Sequence, residues 1–285
     1  VPIAAPAPAV VELALHALAF APMPEPGSLF DPRYVAWCRG RLPSAAWQVL
    51  ADDAPLLAAL AACAGPAWWS LQGLAFAHRD LSALVAAGAR PLDARDRADA
   101  PQPAAVTALR ELASAHESLV EVARADAALV ARAYAEAHRT VIAPALAVAL
   151  DDARPALAAA AARVPSLARV PVLLSFTLGP RGRSFGETLV VGAPSAWSPL
   201  PASRPAVLAV HERAVSLAAR LAAGDPHTRW ARSEAAALRA VALHLADSPL
   251  ASDWERWRET VDASGLEDAA DAKDVAAVRA ALGAP

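Results

Sequence analysis

The chain has 285 residues, a net charge of −3 and a composition that is 56% hydrophobic but only 5% aromatic. That length can bury a core as one large domain or two smaller ones, and alanine supplies much of the apolar share, which favours helices. No run approaches the roughly 18 uncharged apolar residues of a spanning helix, and dispersed basic residues give no electrostatic footprint for nucleic acid.

The first twenty residues lack a basic start and carry Glu12 and His16, so they do not read as a secretory signal, and a cytoplasmic protein is the expectation. Cys38 and Cys63 lie in apolar helical patterns without CxxC spacing and read as buried thiols. Of the basic residues only Lys273 is a lysine, an arginine bias that belongs with the alanine load and not with phosphate recognition.

In chain order, Val10 to Phe20 has helical spacing and ends in a stretch with four prolines and a glycine. Asp31 then caps a helix that begins at Pro32. Helices are expected over 44–51, 54–63 and 66–87, holding Tyr34, Trp37, Trp47, Trp68, Trp69 and Phe76 in or near them as packing aromatics. The segment Gly88 to Pro103, with three prolines, dispersed charge and no apolar period, reads as a linker. A long amphipathic helix follows to about His138, and Pro144 and Pro155 are expected to divide 141–163 into shorter helices.

At Val170 the texture changes. Two β-rich runs, VPVLLSFTL and SFGETLVVGA, flank GPRGR and predict a β-hairpin over 170–191, with Arg181 and Arg183 at a solvated tip. A lone hairpin is marginal, so it must pack on helices or join further strands. A proline-rich loop then leads into a helix over 205–223, followed by helices at about 228–247, 252–261 and 269–282. Trp254 and Trp257, three apart, share a helix face and read as a packing pair.

The chemistry-bearing stretch is VLAVHERAV. His211 and Glu212 stand where HExxH begins, Val215 occupies the place of the second histidine, and Glu234 follows the five-residue window after 18 intervening residues. In HExxH sites two histidines four apart leave one helix face towards a metal, and the glutamate acts on bound water. His116 and Glu117 form a second His-Glu pair in another helix, so the dipeptide also arises here without such a context.

The spacing, with a hairpin before and a glutamate-bearing helix after, resembles the HExxH-x18-E zinc metallopeptidases called gluzincins, above all the aminopeptidase branch. The resemblance covers about residues 170–247 and departs from the family at Val215. It implies His211 as first zinc ligand, Glu234 as third ligand and Glu212 as general base, with His227 as a possible substitute ligand and the second ligand lost.

Taken together, these readings predict a mainly α protein with a helical N-terminal part and a small α+β peptidase-like lobe carrying a β-hairpin before the HE helix. Residues 1–90 form an N-terminal helical region, 91–103 a linker and 104–285 a second helical region. The favoured function is a non-catalytic accessory or binding protein, a pseudoenzyme with a protein or peptide partner and no cofactor. The alternatives are a zinc-dependent hydrolase with an atypical ligand set, and an unrelated helical protein in which the motif is an accident.

Overall fold

The computed structural model describes residues 4–20, 30–52, 129–185, 188–221, 226–260 and 270–283, with side chains left out at 185 and 226–230. The expected helices at 54–63 and 66–87, the linker and most of the helix after it lie outside the described residues. The fold is mainly α with one small mixed sheet. Contacts divide the chain into two compact units, one made of Val1–Ala7 with Ala145–Pro285 and the other of Pro8–Pro144. Among the described residues no helix is long and apolar enough to cross a membrane.

The unit Pro8–Pro144 contains α1 (Ala9–Ala19), α2 (Pro32–Arg41), α3 (Gln48–Asp52) and a helix α4 described over 129–137. Asp31 caps α2 as its sequence position suggests, accepting a bond of 2.9 Å from the Arg33 backbone N–H, with Pro32 in the first turn. The core of the unit is organised around His16. The Ala46 carbonyl, an acceptor only, lies 2.8 Å from Nε2, so Nε2 carries the proton and Nδ1 accepts from the Tyr34 hydroxyl at 2.8 Å. Tyr134 stacks on the ring at 4.3 Å between centroids, and buried Cys38 lies 3.9 Å from Nδ1.

A π turn, His138–Ile142, joins α4 to α5 (Ala143–Arg163). The prolines do not divide this stretch, contrary to the expectation from sequence. The wider turn lets the Ala143 N–H bond back to the His138 carbonyl immediately before Pro144, which has no N–H to place. Pro155 sits inside α5 and leaves the Asp151 carbonyl without its helical donor. Asp151 and Asp152 are exposed to water, while Leu150, Ala153 and Leu157 hold the opposite face in the core.

The other unit contains the sheet and the C-terminal helices. Strands β1 (Ala4–Pro6), β2 (Val172–Ser175), β3 (Gly182–Phe185) and β4 (Thr188–Gly192) are ordered β1-β2-β4-β3. A hairpin does precede the HE helix, but its arms are β3 and β4, which pair Phe185 with Thr188 and Gly182 with Val191. The two apolar runs expected as its arms are instead parallel neighbours, with Val172 opposite Leu189 and Ser175 opposite Gly192. Their near-continuous burial, Leu189 through Gly192 above all, is that of parallel strands covered on both faces. The strand needed to support the pair is β1, parallel to β2.

The loop between β2 and β3 folds tightly over the end of β4. A Cβ on Gly192 would fall 1.6 Å from the Gly179 carbonyl oxygen, and Gly179 itself has φ +54°. Glycine at both positions allows the return that brings β3 to the sheet edge.

Helices α6 (Arg204–Leu221), α7 (Pro226–Leu245), α8 (Ala251–Thr260) and α9 (Ala272–Leu282) complete the unit. α6 lies against β3 and β4 on one side and against α7, α8 and α9 on others. Every residue from Arg204 to Ala214 is buried, so α6 is a central helix with no solvent stripe over its first three turns.

The His16 arrangement has a measurable consequence. Burial, partly offset by the bond to the Ala46 carbonyl, lowers its pKa to about 4 from an ordinary value of 6.5. The unfolded chain therefore takes up a proton at higher pH than the folded one, and stability falls as pH drops from 6.5 towards 4, by up to about 3 kcal/mol. Chemical unfolding at pH 7 and pH 4.5 should record this loss, and His16→Gln should flatten it.

Candidate functional site

The central helix carries its charged pair in a place where water cannot screen it. His211 and Glu212 are both buried on α6, only 4% and 8% exposed. Glu234 reaches them from α7, and its Oε1 lies 3.0 Å from His211 Nε2. On the other ring edge, Nδ1 lies 3.3 Å from Glu212 Oε1. The contact to Glu234 is out of line for a straight hydrogen bond and is an ion pair in kind. Three residues separated by 23 positions of sequence thus meet at one imidazole.

The walls of the site come from neighbouring elements. Trp257 and Trp254 of α8 pack on His211, with ring centroids 4.6 and 6.0 Å away, and on each other at 4.9 Å. Ser203, just before α6, donates to Asp253, and Arg256 also donates to Asp253. The Ser203 contact ties the first turn of α8 to the entry of α6, beside the two indoles that pack on the histidine, while the Arg256 contact lies within α8. On the sheet side Glu212 lies under β3, where a Cβ on Gly182 would come within 2.7 Å of Glu212 Cγ. Only a glycine permits that approach.

Arg183, the next residue of β3, is half-buried and its charge acts on both Glu212 and Glu234. The expectation of a solvated turn at 181–183 is corrected for Arg183, while Arg181 is exposed. Burial lowers the Arg183 pKa, and the two carboxylates oppose that effect. Burial likewise acts to raise the Glu234 pKa, but His211 and Arg183 override it and hold the carboxyl below its ordinary value. For His211 burial acts to expel the proton, yet Glu234 and Glu212 outweigh it and raise the pKa to about 10. The group is an imidazolium between two carboxylates, with an arginine nearby.

No family model, no curated protein and no solved structure matches the chain.

The structure therefore brings His211, Glu212 and Glu234 together, the three positions singled out from the motif spacing. Val215, one helical turn beyond His211, is a half-buried hydrocarbon and offers no donor atom. The side chain of His227 lies outside the described residues. A 3.0 Å spacing between His211 Nε2 and Glu234 Oε1 is near the separation of two ligands on one zinc ion. Glu212 does not complete such a set, because it sits at Nδ1, on the other edge of the ring from Nε2. Among the described residues no three His, Cys, Asp or Glu side chains converge in a way that holds a metal. The donors described thus do not fit a catalytic zinc centre with three protein ligands.

Sequence reasoning missed Gly182, Arg183, Trp254 and Trp257 as parts of this site. The tryptophan pair was visible as one helix face, but nothing in its spacing says which residue that face covers.

Two measurements follow. In NMR titration of the imidazoles, His211 should stay protonated through pH 8. Its contribution to stability is complete below the unfolded value of 6.5 and is lost as pH rises from there towards 10. An imidazole at 211 titrating near 6.5 would show that the two carboxylates do not act on it. Separately, His211→Ala leaves buried carboxylates facing each other and should cost about 3–5 kcal/mol in chemical unfolding. His211→Gln with Glu234→Gln should recover more than half of that loss.

Proposed function

We propose that this chain is a non-catalytic binding protein of the cytoplasm, built on a gluzincin-like scaffold and holding a protein or peptide partner at the β3 edge. The observation that carries the reading is the meeting of His211, Glu212 and Glu234 beneath β3 while Val215 stands at the second ligand position. Convergence from two helices favours descent from a site over a chance dipeptide. The donor set favours loss of its metal chemistry.

The choice of β3 rests on backbone alternation. The Arg181 carbonyl accepts from the Gly192 N–H, so by the antiparallel pattern Gly182 and Ser184 turn their backbone groups away from β4. Among the described residues no strand pairs with that side. At the other edge, Ala7 donates to Leu174, which turns residue 6 outward, and Pro6 has no N–H to offer. An extended peptide therefore finds hydrogen-bonding groups at β3 and a blunted edge at β1.

Ser184→Pro removes one outward N–H without touching the bonds to β4. Affinity purification of the tagged chain from its native host should yield a stoichiometric partner that Ser184→Pro no longer retains, with unchanged circular dichroism. The competing reading, a zinc-dependent hydrolase using His211, Glu234 and His227, predicts chelator-sensitive cleavage of peptides. That activity, lost in Glu212→Gln, would replace the binding reading.

A further inference from the structure

α7 and α9 pack against each other but leave between them a hollow of about 480 Å³, a volume within the range of small-molecule sites. Arg239 and Leu243, four apart, turn one face of α7 towards it, and Ala272, Val275, Ala276 and Arg279 turn one stripe of α9. Both helices belong to the unit that ends at Pro285, so the hollow lies within one compact body. Its lining is of two kinds. The body is aliphatic, with Leu243 44% exposed at the opening, and the polar side chains on it are the guanidiniums of Arg239 and Arg279.

Neither cation has an anion of its own. At three and four positions on either side, where Arg139, Arg154 and Arg256 find a carboxylate, Arg239 and Arg279 have only alanine, valine, leucine or glycine. α7 and α9 carry two carboxylates, Glu234, which meets His211, and Asp274, which Arg232 holds. Asp271 caps the first turn of α9, accepting from the Lys273 and Asp274 backbone N–H groups. Among the described residues no acceptor lies within hydrogen-bond or ion-pair distance of either guanidinium, and Arg279 Nε is shielded from water with its donor unused. Such a donor is costly to leave unmet, and a guanidinium presents the planar fork that fits a carboxylate.

We infer that the hollow between α7 and α9 is a binding site for a small aliphatic carboxylate, its head group held by Arg239 and Arg279 and its hydrocarbon chain laid against Leu243, Val275 and Ala276. Charge complementarity selects the head group. The aliphatic side chains select the body, because they offer no directional contact to a sugar hydroxyl or a base edge and gain from covering a hydrocarbon chain. The site goes beyond peptide capture at β3 and does not depend on it.

The test is isothermal titration calorimetry of the full chain with octanoate as the probe. The wild type should bind it saturably at one equivalent. Octanamide keeps the chain and loses the charge, and acetate keeps the charge and loses the chain, so each should bind at least roughly tenfold more weakly. Arg239→Gln with Arg279→Gln should weaken octanoate by at least roughly tenfold as well. Ala276→Glu, which sets a carboxylate one turn from Arg279, should take the place of the head group and abolish binding. Circular dichroism establishes that each variant is folded before its affinity is read, and Ala276→Glu, a change at an exposed helical position, carries the test if the double variant does not fold.

Three results would overturn the inference. They are no saturable binding of octanoate to the wild type, equal affinity for octanamide, and undiminished affinity in the folded double arginine variant or in Ala276→Glu. Ser184→Pro should bind octanoate as the wild type does. A chain that binds octanoate but retains no partner overturns the β3 reading alone, and one that retains a partner but binds no octanoate overturns this inference alone.

Discussion

An imidazole held between two carboxylates at the centre of a buried helix is the arrangement to which the rest of the C-terminal unit conforms. Burying an unpaired carboxylate is costly enough that the chain must either protonate it or surround it with cations. α6 accepts that cost at Glu212 and, through its contact with α7, at Glu234, and sets His211 between the two. The remaining elements follow from this debt. α7 has to lie close enough for Glu234 to reach Nε2, β3 has to bring Arg183 alongside, and Gly182 has to lack a side chain so that Glu212 fits beneath the strand.

The same constraint accounts for the tryptophans. An imidazolium away from water gains from the faces of aromatic rings, and Trp257 at 4.6 Å supplies one while excluding solvent that would otherwise screen the pair. The bond that Asp253 accepts from Ser203 fixes the start of α8 against the entry of α6, next to those rings. Screening and exclusion act in one direction here: the drier the site, the stronger each contact within it, and the more each partner depends on the others. Breaking one contact is therefore expected to cost more than the pair is worth.

The two histidine clusters of the chain make a useful contrast. His16 is as buried as His211, but its neighbours are a carbonyl, a hydroxyl and aromatic rings, so burial prevails and the ring is neutral. His211 has carboxylates on both edges, so the same burial is overridden and the ring is charged. Environment, and not depth alone, decides the state of each. Neither environment is complete in the residues adjacent to the histidine in sequence, although Glu212 directly follows His211. Tyr34 and Ala46 lie 18 and 30 positions from His16, and Glu234 lies 23 from His211.

Much of the architecture was nonetheless legible. Helical periodicity located α1, α2, α6, α7, α8 and α9, because an amphipathic or capped helix is a local object whose pattern repeats every three or four residues. The motif spacing selected His211, Glu212 and Glu234, and these meet in space. The pairing of the strands was not legible. Two apolar runs beside a glycine-rich turn look alike as hairpin arms or as parallel strands, and only the arrival of β1 from the other end of the chain and of β3 at the edge decides between them. Pro155 was misread for a related reason, since packing of the apolar face sustains a helix that local propensity would end. By itself the sequence determined where most of the described helices run, where the carboxylates and the histidine stand along them, and that a valine stands four residues after His211. Tertiary structure alone decided that Arg183 is half-buried on β3 and not at a solvated tip, and that two tryptophans pack on the histidine, because the surroundings of a buried group are settled by whatever the fold brings near it, at any distance along the chain.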